Sequence, residues 1–411
     1  MGNYVTLVEK HIIRESSLQY KELDRLCFLS KNLYNSTLYA IRQHYFNANK
    51  YLDYYKVNKQ FTIENQLDYR ALPAKVSKHT QMVVDRNFKS FFSLLKKKNQ
   101  GNYTKPVNMP KYLDKIKGRQ VVFYEKGSLS LKNEGFIKLS KTNIIIKTKV
   151  VKDSIQFVRV VPKGNHIVIE VGYRKETEDY KDNNRYASID LGLNNLMTVG
   201  SNCMPPFIIN GRPLKSMNQY YNKELARKKA ELIKTDGKYI SKKIQSLHLK
   251  RNNKVNDYIH KATTVLVNQL VSNKISNLVI GYNKGWKQDI NIGTRNNQNF
   301  IQIPFYKVIS QLEYKCNLVG IKVELQEESY TSKCSFLDNE EVKKHVKYKG
   351  SRIKRGLYVS SEGKEINADL NGAMNILKKY LCKKEVWNLA LVKDCIEVCS
   401  TPNVGKARIP V

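Results

Sequence analysis

The period of the apolar positions changes along the chain, and the changes divide it. Residues 4–13 have the texture of one short strand. From Leu23 the spacing becomes helical, with Leu23, Leu26, Cys27, Tyr34, Thr37, Leu38 and Ile41 near one face. Tyr45, Phe46, Tyr51, Tyr54 and Tyr55 extend the region with aromatics, and Pro73 punctuates it. A second helix follows, with Val84, Phe88, Phe91 and Leu95 on one stripe and Lys96, Lys97 and Lys98 at its end. Residues 17–102 therefore read as a helical domain with basic edges.

At Lys105 the texture changes, and Pro106 and Pro110 mark a linker. Short β-like runs follow at 121–124, 144–150, 155–160 and 166–171. Ile144 and Ile146, then Ile167 and Ile169, alternate as half-buried strands should. A small β-barrel, joined by the first strand and interrupted by the helical insert, accounts for the order strand, helices, strands. Lys147, Lys149, Lys152 and Arg159 would face outward from it, toward phosphates or toward water.

After a polar linker at 176–185, residues 186–191 read as a buried strand ending in a single carboxylate, Asp190. Gly192 and the pair Asn194-Asn195 make a turn into a return strand, and residues 207–210 supply a third strand. Residues 215–272 have the length of a helical hairpin, and the Lys and Arg crowding its middle suit a nucleic-acid backbone. A fourth strand at 278–282, a helix near 306–318 and a fifth strand at 321–325 come next. An amphipathic helix then opens with Asp369 and carries Ala373, Ile376 and Leu377 on one face. This order, β-β-β-α-β-α-β-α, is that of the RNase H fold, so the expected fold class is α/β. A strand-end Asp early and a helix-start Asp late is the layout of RNase H-like nucleases, whose carboxylates converge on two Mg²⁺ ions. By itself each Asp would more readily be a turn or helix cap; together they suggest a site.

Composition changes the picture by adding a partner. Lys plus Arg number 72 against 36 Asp plus Glu in 411 residues, a formal net charge of +36. That excess exceeds what solubility needs and points to a long polyanion such as RNA or DNA. The 26 Tyr and 13 Phe offer rings for unpaired bases, although most serve the core. No stretch has the length of an apolar membrane span, and the N-terminus lacks the layout of a signal peptide. Seven widely spaced Cys suit a reducing compartment, and a cytoplasmic protein is expected.

A third carboxylate is needed. The end of the fourth strand is the obvious place for it, but Gly281 stands there. The fifth strand instead runs into Glu327 and Glu328. Neighbouring strands lie about 4.8 Å apart, so a carboxylate ending the fifth could reach the same ion. Period-two alternation puts Glu327 and Glu328 on opposite faces, and only one should point at the metal.

The runs IDLGLNN, NNQNFIQIPF, EESYTSKCSFLD, KRGLY and INADLNGAMNIL together resemble the TnpB family, RNA-guided nucleases of insertion sequences related to compact type V CRISPR effectors. The resemblance spans residues 186–380, and the N-terminal half follows only by architecture. It implies an RNase H-like RuvC nuclease domain at 183–332 and 366–380, preceded by a β-barrel wedge-like domain at 1–16 and 103–180. That barrel would carry a helical recognition domain at 17–102. A degenerate zinc-ribbon-like insert would fill 333–365 and a C-terminal tail 381–411. It implies Asp190 and Asp369 as catalytic metal ligands, with Glu328 in place of the Glu the family ordinarily has at the position of Gly281, and Glu327 as runner-up.

The implied cofactor is two Mg²⁺ ions. Zinc is not expected, because only Cys334 remains of the family's Cys pairs and a single thiolate makes no four-ligand site. His345 is a lone candidate, and the pair Cys395 and Cys399 is discounted. The implied partners are a guide RNA from the transposon end and double-stranded target DNA with a short adjacent motif. No membrane partner is expected. Arg352, Lys354, Arg355, Lys333 and Gln298 are candidate nucleic-acid contacts, with Asn299, Gln302 and Trp286 weaker ones. Rival readings are a nuclease-inactive RNA-guided DNA-binding protein, a DDE-type transposase and a plain RNA-binding protein.

Overall fold

The computed structural model describes residues 3–237, 239–283, 285, 298 and 301–409. The chain divides into two units, Thr6–Lys175 and a second made of Met1–Val5 with Glu176–Val411.

In the first unit, strand β1 (Tyr4–Arg14) leads into α1 (Tyr20–Ala48), whose buried side chains include Leu23, Leu26, Cys27, Tyr34, Thr37, Leu38 and Ile41. The stripe expected from the spacing is thus the packed one. Asn49 ends the helix in the left-handed conformation. Helix α2 (Tyr54–Ile63) begins where the Asp53 side chain accepts the Lys56 N–H, and α3 (Leu67–Arg70) is a single turn. Helix α4 (Ala74–Asn99) starts just after Pro73, and its three terminal lysines suit the negative end of its dipole.

Strands β2 (Val122–Glu125), β3 (Leu129–Ser130), β4 (Phe136–Leu139), β5 (Ile145–Lys147), β6 (Ile155–Pro162) and β7 (His166–Glu176) follow. They form a four-stranded sheet in the order β1-β7-β6-β2 and a separate three-stranded sheet, β3-β4-β5. The closed barrel expected from the sequence is replaced by these two sheets. Helices α1 and α4 pack on β2 and β6 and cover apolar surface that further strands would otherwise close over. Of the cations read as facing outward, Lys147, Lys149 and Lys152 are exposed, while Arg159 pairs with Glu170 at 2.7 Å.

The second unit is built on a mixed sheet. Strands β8 (Tyr186–Leu191), β9 (Asn195–Ser201) and β10 (Phe207–Asn210) are consecutive and antiparallel. Helices α5 (Arg212–Asp236) and α6 (Lys242–Ser272) come next, then β11 (Asn277–Gly281), α7 (Phe305–Leu318) and β12 (Lys322–Gln326). β11 lies parallel to both β8 and β12. The insert carries β13 (Ser351–Lys354), β14 (Leu357–Val359) and β15 (Glu365–Asn367) as a small sheet. Helix α8 (Ala368–Lys383), helix α9 (Leu389–Cys399) and β16 (Gly405–Lys406) complete the chain. The sheet order is β12-β11-β8-β9-β10-β16.

Both faces of this sheet are covered, which is why its central strands read as continuous apolar runs. Ala187, Ile189, Leu191, Leu278 and Ile280 pack with residues of α6 and α7. Tyr186 and Val279 pack with residues of α8 and α9, and Ser188 donates to the Ala373 carbonyl of α8 at 2.7 Å. By the two-residue period, Asp190 and Gly281 belong to the α8 face. The C-terminal stretch is an integral part of the unit. Cys395 and Cys399 are buried free thiols in the α8 layer, and the Cys399 Sγ donates to the Ser201 carbonyl.

Candidate active site

Asp190 sits at the α8 face near the end of β8, opposite Thr198 of β9. Its carboxylate is pushed well above the usual range, first by burial and then by the nearby charges of Glu328 and Asp369, with Arg352 opposing. Helix α8 passes so close that a Cβ on Gly372 would stand 2.9 Å from Asp190 Oδ2. Asp369 lies in the first turn of that helix, after Asn367 has capped the N–H groups of Asp369 and Leu370. Asn195, where β9 begins, donates from Nδ2 to Asp369 Oδ2 at 2.7 Å. Arg352 of β13 brings its guanidinium to 3.6 Å from Asp369 Oδ1.

The two glutamates at the end of β12 part company. Glu328 turns inward, with Asn283 Nδ2 donating to its Oε1 at 3.1 Å and its own N–H donating to Asn283 Oδ1 at 3.3 Å. Burial, with the charge of Glu327, pushes its carboxyl up to about 7. A Cβ at Gly281 would stand 2.7 Å from Glu328 Oε2 and against Ile376 Cδ1. The bare backbone at Gly281 is therefore what leaves room for the Glu328 carboxylate. Glu327 turns outward, pairs with Lys379 at 2.5 Å and accepts the Ser329 N–H at 2.7 Å. Despite partial desolvation, these donors hold its carboxyl below the usual range.

Buried amides of α8 hold the segment that follows Glu328. Asn375 Nδ2 donates to the Thr331 and Cys334 carbonyls at 2.9 and 2.7 Å. Asn371 donates to the Cys334 carbonyl and accepts the Phe336 N–H. In the insert, the Cys334 Sγ donates to the Lys343 carbonyl, and the Glu340 carboxylate accepts the N–H groups of Ser335 and Lys349. A buried carboxylate bridging two backbone segments thus ties this loop together. His345 contacts the Glu341 carbonyl at 2.8 Å.

Of the other candidates, Lys333, Lys354, Arg355 and Gln298 are exposed. Gln302 is committed to a reciprocal amide pair with Asn222, at 3.1 and 2.8 Å. Asn299 and Trp286 lie outside the described residues. Arg352, read as a nucleic-acid contact, turns out to be the carboxylates' neighbour. Asn195 and Asn283 are contacts the sequence reading missed, although Asn195 stood in the IDLGLNN run.

Residues 166–287 match the family OrfB_IS605, described as a probable transposase, and residues 305–376 match the Cas12f1-like TNB domain. The TnpB-like protein ORF457 of Acidianus two-tailed virus is 26% identical over 419 residues, covering 89% of this chain and 84% of that protein. The chain is thus similar to TnpB-like proteins over most of its length. Among solved structures, a Cas12f1–sgRNA–target DNA complex is similar at a TM-score of 0.49 and 13% identity, over 87% of this chain and 82% of that one. The mini-RNA-guided endonuclease CRISPR-Cas_phi3 is similar at a TM-score of 0.47 and 10% identity, over 92% of each chain.

Whether the carboxylates suit divalent cations is a question of donor type and charge. Among the described residues, no group of three or more His, Cys, Asp or Glu side chains is closed up to coordination distance. The three carboxylates nevertheless share one field, as the effect of Glu328 and Asp369 on Asp190 requires. They offer hard oxygen donors, and burial disfavours the charged forms of Asp190 and Glu328 until a cation arrives. In donor type these oxygens are the ones magnesium takes.

Proposed function

We propose that the chain is an RNA-guided DNA endonuclease that hydrolyses phosphodiesters, with Asp190, Glu328 and Asp369 holding two Mg²⁺ ions. The observation that carries the proposal is the electrostatic meeting of three carboxylates from β8, the end of β12 and the start of α8. The sheet order, with three antiparallel strands and two parallel ones added beside the first, supports an RNase H-like RuvC domain. Bound magnesium would activate a water and stabilise the leaving 3′ oxygen, giving 5′-phosphate and 3′-hydroxyl ends.

The chain's own residues supply position and charge. Asn195 fixes one Asp369 oxygen, and Asn283 fixes one Glu328 oxygen. Arg352 shields Asp369 and is placed to meet a phosphate once that carboxylate turns to a cation. Asp190 is half-buried against helix α8 at Gly372. A guide RNA from the transposon end and a double-stranded DNA target with a short adjacent motif are the proposed partners. Lys333, Lys354, Arg355 and Gln298 are the proposed contacts outside the site. Exchange of a DNA duplex for a guide–DNA heteroduplex is nearly balanced, so such backbone contacts tip it.

The test is plasmid cleavage with Mg²⁺ by protein co-expressed with RNA from its own flanking sequence. Wild type should cut, while Asp190→Ala and Asp369→Ala should bind target and leave it whole. Guide-dependent binding without cutting by the wild type would replace this reading with that of an RNA-guided binder.

A further inference from the structure

Helices α5 and α6 enclose a groove of about 860 Å³ that the carboxylate chemistry does not use. Lys228 lines it from α5, and Lys243, Lys250, Arg251 and Lys254 line it from α6. On α6 the lysines recur at helical spacings and form one stripe. Tyr220 lines the same groove and is 65% exposed. The floor is fixed in advance. Arg251 donates to Asn218 Oδ1 at 2.9 and 2.7 Å and to the Gln302 carbonyl at 2.9 Å, and it lies over the Tyr221 ring.

We infer that this groove binds single-stranded DNA, the strand on which the carboxylates act, with phosphates on the lysines and a base stacked on Tyr220. Charge and shape name a nucleic acid, because a stripe of cations beside an exposed ring is what a strand with phosphates and unstacked bases requires. The exposed ring argues for a single strand, because a duplex keeps its bases paired and stacked and offers none to Tyr220. Continuity with the site argues for the substrate strand. The Gly211 N–H, at the start of α5, donates to the Asn194 carbonyl at 2.7 Å, and the next residue, Asn195, holds Asp369. From Ser216 to Lys228 the groove runs about 18 Å at 1.5 Å per residue, enough for about five stacked nucleotides. The identity of the strand rests on the nuclease reading; the groove's affinity for a single strand does not.

The test uses full-length protein in EDTA and a fluorescent oligo-thymidine of about 20 nucleotides, with affinity read by anisotropy across salt concentrations. The triple variant Lys243→Gln, Lys250→Gln, Lys254→Gln should flatten the log–log salt slope by about 2, at about 0.7 per lost phosphate contact. A charge-matched change of Lys96, Lys97 and Lys98 to Gln, at the end of α4, should flatten it less. Tyr220→Ala should weaken binding about tenfold with the slope unchanged. A bromodeoxyuridine-substituted oligomer should photocrosslink to Tyr220. Circular dichroism guards against misfolded variants.

Equal effects of the two triple changes, or loss of oligo-uridine binding with oligo-thymidine binding intact, would overturn the inference. The second result would give the groove to RNA. Because no cleavage occurs in EDTA, an inactive wild type in the plasmid assay sinks the nuclease reading separately and leaves this measurement standing.

Discussion

Glu327 and Glu328 differ by one position and meet opposite surroundings: Glu327 faces Lys379, Glu328 faces Gly281 and Asn283. The pair's divergence was legible in strand alternation, but which member turned inward was not. That depended on the space over Gly281, which no periodicity reports. Gly281→Ala should therefore push Glu328 aside and lower cleavage at least tenfold while the fold persists, checked by cleavage rate beside thermal unfolding. Gly372→Ala should do the same through Asp190, since its new methyl would press on Oδ2. Titration gives a second residue-scale expectation. The Glu328 carboxyl stands at about 7 in the folded protein against an ordinary value of 4.5. Between those values the folded state holds more protons than the unfolded one. Stability without metal should thus fall as pH rises from about 4.5 to about 7. Asp190 is shifted in the same direction. Melting temperatures in EDTA should drop across this window, and Glu328→Gln should lessen the drop.

At the scale of elements, the apolar pattern carried much of the architecture. The buried stripe of α1 and the strand at 207–210 are where the spacing put them. Pairing was less legible, because alternation marks a strand without naming its neighbour. The strands of the Thr6–Lys175 unit accordingly form two sheets in place of a barrel. Arg352 meeting Asp369 was invisible for a related reason, since a strand turn and two further strands intervene between them. The contact that matters most here is between α8 and the turn after β12. From a buried position Asn375 donates to the Thr331 carbonyl and shares the Cys334 carbonyl with Asn371. Asn375→Leu should cost about 1–3 kcal/mol by leaving the Thr331 carbonyl without its amide donor. It should also depress cleavage more than stability predicts, because Glu328 begins the same turn. Denaturant unfolding set against cleavage rate checks both parts.

For the whole molecule, the formal net charge of +36 is the dominant fact. Binding to nucleic acid should weaken steeply with salt. With 6–10 phosphate contacts, affinity should fall on the order of 10³–10⁵ between 50 and 200 mM. A flat response in a filter-binding series would contradict a backbone-led interface. Among the described residues, no helix is long and apolar enough to cross a membrane. Charge points to a polyanionic partner but not to the chemistry done to it, and the proposed chemistry rests on the three carboxylates.

The most direct measurement of that chemistry is the Mg²⁺-dependent cleavage rate of wild type, Glu328→Ala and Glu327→Ala, each loaded with the same guide RNA and target. Glu328→Ala should fall to background while Glu327→Ala stays within a few-fold of wild type. Full activity in Glu328→Ala would contradict the account.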